Sequence, residues 1–107
     1  LIYKIKWFFQ KLFRGYSDPE AWDFQWYAAQ YALPRLKKLR EIRHGFPAML
    51  CEEGKTEEES DREWGNILGK MIRAFELILA YDFDCVNNPE IDEGTALFGK
   101  YFTALWD

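Results

Sequence analysis

The sequence predicts an all-α fold: a small bundle of three main helices plus an N-terminal amphipathic helix. Three observations predict it. Apolar residues recur at three- and four-residue spacing through four separate segments. Capping signatures stand at the heads of the second, third and fourth segments. No run alternates apolar and polar residues as a half-buried strand would. At 107 residues the chain makes one domain, 1–107, long enough to bury a core.

The first segment, "LIYKIKWFFQKLF", places Leu1, Ile2, Ile5, Phe8, Phe9 and Leu12 on one arc. Lys4, Lys6 and Lys11 occupy the rest, with Tyr3, Trp7 and Phe13 at the borders. Arg14-Gly15 ends it, so a helix is expected over 2–13. An arc this apolar docks on its own bundle, on another copy or on a membrane interface. Docking or self-association is the preferred expectation, because a small chain needs the buried area.

The second helix is expected over 18–43. Ser17 and Glu20 make an S-x-x-E capping box, and Pro19 suits the first turn. Its stripe runs Phe24, Tyr27, Ala28, Tyr31, Ala32, Leu36, Leu39, Ile42. Pro34 interrupts the hydrogen bonding but not the phase, which predicts a kink near 30–34. "HGFP" ends the helix, and 45–56 reads as loop.

Thr56 and Glu59 open a third helix over 57–81. It has the cleanest stripe: Trp64, Ile67, Leu68, Met71, Ile72, Phe75, Ile78, Leu79. Gly65 and Gly69, four apart, suit a close helix approach. After the expected loop "DFDCVNNPE", Asn88-Pro89 starts a helix over 89–106. The expected core centre is Trp64, Leu68, Met71, Ile72 and Phe75, packed against Tyr31, Leu36, Leu39, Phe98, Tyr101 and Phe102.

Composition narrows the function classes. Aromatics are 19% of the chain, a share that predicts rings on a surface that meets something. With one histidine and two cysteines, Cys51 and Cys85, no Cys/His zinc site can form. Two thiols in a reducing compartment are preferred to one disulfide. No secretory signal or membrane-length apolar run occurs, which predicts a soluble, cytoplasmic protein. The net charge of −4 divides into +5 on residues 1–50 and −9 on 51–107. That asymmetry suits self-association, two partners of opposite sign, or attraction between the halves of one fold.

Several stretches carry a further likeness: "GYSDPEAWDFQWYAAQYALPRLKKLRE", "GFP", "REWGNILGKMIRAFE" and "GTALFGKYFTALWD". Together, over about residues 14–107, they resemble a family of small helical proteins encoded by tailed bacteriophages. The resemblance implies a phage origin and a compact helical protein at work in an infected cell or a virion. It implies no catalytic residue.

The candidate sites are few. Asp18, Asp23, Glu59 and Glu63 would be the ligands of a Mg²⁺ site for phosphate chemistry. Helix capping explains Ser17, Asp18 and Glu20 fully and is the preferred reading, and Asp23 would cap a second helical segment through the N–H of Gln25 or Trp26. The basic run Arg35, Lys37, Lys38, Arg40 and Arg43 is either a solvated helix face or a patch for phosphate or an acidic partner. With Trp7 it makes up the candidate binding residues. A pI near 5.0 argues against a general nucleic-acid binder. "CEEGKTEEESDRE" is a solvated acidic stretch or a mimic of a nucleic-acid backbone. His44 has no nucleophile at motif spacing. The expectation is an interaction protein without catalysis or cofactor, binding a host or phage protein and forming a homo-oligomer. It would work in the cytoplasm of the infected bacterium. The alternatives are a nucleotide-binding or metal-dependent hydrolytic role and a structural role in the virion. A membrane surface is the less favoured partner.

Overall fold

The structure, a computed structural model, describes residues 1–81 and 87–107. Among them there is helix and no strand. The helices are α1 (Ile2–Arg14), α2 (Asp18–Trp22), α3 (Phe24–Ile42), α4 (Glu57–Tyr81) and α5 (Pro89–Lys100). Short 3₁₀ turns cover Ala48–Leu50 and Phe102–Ala104. Cys85 and most of the expected second loop lie outside the described residues, and with them the question of a Cys51–Cys85 bond.

α4 is the central element. α3 and α5 pack on different parts of it, which is why it is buried so broadly. Trp64, Leu68, Met71, Ile72 and Phe75 are buried, as their spacing requires. Leu36 and Tyr101 are buried against them, with Leu39 and Phe98 partly so. Trp64 meets Tyr101 and Phe75 meets Phe98, both edge-on. Tyr31 and Phe102 depart from expectation, at 65% and 60% exposed. They keep the phase of their stripes, but no described element covers them.

The expected helix over 18–43 is two helices. Asp23 ends α2 and precedes α3 with a non-helical backbone (φ −120°, ψ 56°). Its carboxylate makes no cap hydrogen bond. The helix continues through Pro34, and the Arg35 guanidinium donates to the Tyr31 carbonyl at 2.9 Å. The capping box of α2 is present. The Ser17 N–H and hydroxyl both donate to Glu20 Oε2, at 2.6 and 2.8 Å. The Glu59 N–H donates to Thr56 Oγ1 at the head of α4. The last helix stops at Lys100, short of the expected 106.

The α4–α5 crossing is set by Gly94. A Cβ there would fall 2.3 Å from the Cβ of Ala74 and 2.5 Å from the Lys70 carbonyl oxygen. Gly65 and Gly69 have another use. They make room for the guanidinium groups of Arg43 and Arg40, not for a helix backbone. Between α3 and α4, Leu50 is buried and its carbonyl accepts from Ser60 Oγ and Lys55 Nζ. Lys55 also pairs with Glu63, which raises the lysine pKa above its ordinary value.

Candidate functional site

α1 is oriented opposite to its pattern. Amphipathic helices of globular proteins pack by the apolar face; α1 is held by the polar one. Gln10 Nε2 donates to Asp18 Oδ2, and the Asp18 N–H donates to Gln10 Oε1, both at 2.9 Å. Arg14 donates to Asp18 Oδ1 at 2.6 Å, and Lys11 pairs with Glu20 at 3.5 Å. Trp7 lies edge-on to Trp22, with centroids 6.2 Å apart. These contacts lower the Asp18 pKa, chiefly through Gln10 and then Arg14, and the Ser17 donors lower that of Glu20. Gly15, left-handed at φ 90°, caps the helix and turns the chain into α2.

The consequence is an exposed apolar face. Ile2, Ile5, Phe8, Phe9, Leu12 and Phe13 are all exposed, Phe8 at 64% and Phe13 at 79%, and α1 buries no residue. The rings of Phe8, Phe9 and Phe13 contact one another in sequence.

A second apolar surface lies beside α3. A groove of about 890 Å³ runs along α3, bounded by Tyr16, Glu20 and Ala21 at the α2 end and by the end of α5 and the turn after it. Ala28, Ala32 and Leu36 lie along it, and Phe24, Tyr31 and Phe102 are among the rings that line it. Only Glu20 and Arg35 bring charge to it. The Arg35 guanidinium lies 3.7 Å from the Tyr31 ring centroid, a cation–π contact at the groove edge.

The basic run is distributed among partners. Lys37 pairs with Glu76, Lys38 with Glu41, and Arg43 with Asp61. Arg40 stands over Gly69 and Arg35 over Tyr31. Lys37, Arg40 and Arg43 line one shallow pocket, but Glu41 and Glu76 line it too, and Lys37 and Arg43 already have anionic partners. Of the four carboxylates considered as ligands, Asp18 is held by Gln10 and Arg14, and Glu63 by Lys55. Among the described residues, no three His, Cys, Asp or Glu side chains come together as metal ligands. His44 meets Asp107 at 2.8 Å, through both its backbone N–H and Nδ1. No helix among the described residues is long and apolar enough to cross a membrane.

The groove was not anticipated from the sequence. Its one signal is the apolar stripe from Phe24 to Ala32, of which the expected core uses only Tyr31. Comparison with protein-family models, with curated proteins and with solved structures finds no match for this chain.

Proposed function

We propose that this protein is an interaction module without catalysis, and that it binds another protein through the outward face of α1. The observation that carries this reading is the polar docking of that helix. Gln10, Lys11 and Arg14 hold α1 on α2 while Ile5, Phe8, Phe9 and Leu12 stay in water. A contiguous apolar face on a soluble chain marks an interaction surface. Aromatic rings are the side chains that contribute most binding energy at such surfaces. The resemblance to tailed-phage proteins supports the setting: a phage or host protein as partner, inside an infected bacterium.

A nucleotide or phosphate role has less support, since Lys37, Lys38 and Arg43 already neutralise acidic side chains. The test is a photoreactive benzoylphenylalanine at position 8. Irradiation in the producing cell is expected to yield a discrete protein adduct, lost when Ile5→Glu is added. Identical labelling with and without Ile5→Glu would rule the reading out.

A further inference from the structure

Resting on that reading, we infer that the protein bound by α1 is a second copy of this chain, and that α1 of each copy seats in the α3–α5 groove of the other.

Length supports the fit. The thirteen residues of α1 span about 20 Å, at 1.5 Å per residue. The groove follows α3 from Phe24 to Leu39, about 22 Å on the same rise. Shape agrees as well. Ala28 and Ala32, one turn apart, make a shallow floor, and Tyr31 and Phe102 stand as walls. A helix ridge of Ile5, Phe8, Phe9 and Leu12 suits such a channel.

The chain cannot satisfy itself as it stands. Its own α1 is tied to α2 by the Asp18 and Glu20 contacts, with its apolar side in water. Charge then favours the body of a second copy over a second α1. The net −4 divides into +4 on residues 1–14, which hold no acid, and −8 on the remainder. Two α1 helices face to face would set like charges together, whereas the two charges of the groove, Glu20 and Arg35, cancel and leave the lysines of α1 unopposed by a net positive lining.

The area suffices. Seven large apolar side chains of α1 are exposed, with Leu1 just before it. At ~150–250 Å² for each ring and less for the aliphatic ones, they offer on the order of 1,000 Å². A stable interface needs about 800 Å² per partner. Reciprocal seating supplies two such contacts around one twofold axis and closes the assembly at a dimer.

The experiment uses two variants at exposed positions, Phe8→Glu on α1 and Tyr31→Glu on the groove wall, each checked for native helix content. Light scattering should give the full chain twice its 12.8 kDa mass and each variant alone the single mass. An equimolar mixture of the variants should regain a one-to-one dimer, weaker than wild type. In it the intact α1 of the Tyr31→Glu chain meets the intact groove of the Phe8→Glu chain. The photoprobe at position 8 should give an adduct of twice the chain mass, mapped to α3 or the end of α5, even if a variant fails to fold.

A Tyr31→Glu chain that stays dimeric would show that α1 pairs with α1, and the inference fails. A monomeric wild type whose photoprobe captures a different protein also overturns it while the interaction reading stands. A monomeric wild type that captures no protein and floats with vesicles of 7:3 phosphatidylcholine and phosphatidylglycerol overturns both.

Discussion

Gln10 and Asp18 are bonded to each other twice, amide to carboxylate and backbone N–H to amide oxygen, both at 2.9 Å. This exchange, with Arg14 on the other carboxylate oxygen, sets the rotation of α1 about its axis. It therefore decides which face of the helix meets the outside.

That bond pattern makes the orientation of α1 sensitive to acid. Asp18 and Glu20 both have lowered pKa values, by the Gln10 bond and the Ser17 backbone N–H respectively. The stabilisation is complete above the unfolded carboxylate pKa of about 4 and is lost as pH falls through the lower folded values. Nitroxide labels at Lys4→Cys and Gln25→Cys, with Cys51 and Cys85 replaced by serine, should give a narrow distance distribution at pH 7. It should broaden as the pH falls below ~4, with Asp18→Asn already broad at pH 7. A distribution unchanged in Asp18→Asn would show that these bonds do not orient the helix.

Two glycines of α5 should respond with opposite signs. Gly94→Ala forces a methyl into Ala74 and the Lys70 carbonyl and should destabilise by ~1–3 kcal/mol or more. Gly99→Ala meets nothing within 4 Å and should stabilise by up to ~1 kcal/mol through helix propensity. Urea midpoints of the two variants decide it, and equal midpoints would place the helix crossing elsewhere.

Phe75 and Phe102 separate core from groove. Phe75→Ala empties a buried site beside Phe98 and should cost ~3–5 kcal/mol. Phe102→Ala removes an exposed ring and should cost less than ~1 kcal/mol in the monomer. Calorimetry of the two variants at high dilution makes the comparison.

The opening of α2 should depend on Ser17 and hardly on Asp23. Ser17→Ala removes the hydroxyl of the capping box, with an expected loss of ~0.5–2 kcal/mol. Asp23→Asn removes a charge that caps nothing and should leave the melting temperature within about a degree. A larger loss from Asp23→Asn than from Ser17→Ala would reverse the assignment.

The elements that could be read from sequence are those whose cause is local. The Ser17–Glu20 box, the Asn88-Pro89 helix start and the stripe of α4 each lie within a few turns of chain, and each stands as read. What escaped depends on partners distant in sequence. The stripe of α3 shows which face is apolar but not what covers it, so the pattern places Tyr31 in the core while the fold leaves it exposed. Arg43 finds Asp61 and Lys37 finds Glu76 across the α3–α4 seam, which no local pattern announces. Gly94 rather than Gly65 or Gly69 carries the helix crossing, because that choice rests on the relative rotation of two helices. Polar docking of α1 ran against the usual rule that the apolar face packs first.

The polar docking of α1 also divides the chain for selection. Substitutions at Trp64, Leu68 or Phe75 are judged first by whether the bundle folds. Substitutions at Ile2, Ile5, Phe8 or Phe13, which bury nothing in the chain, pass that judgement unseen. On the proposed reading, the adhesion of this scaffold can therefore be altered through exposed residues of α1 and of the groove that receives it, without re-solving the bundle core.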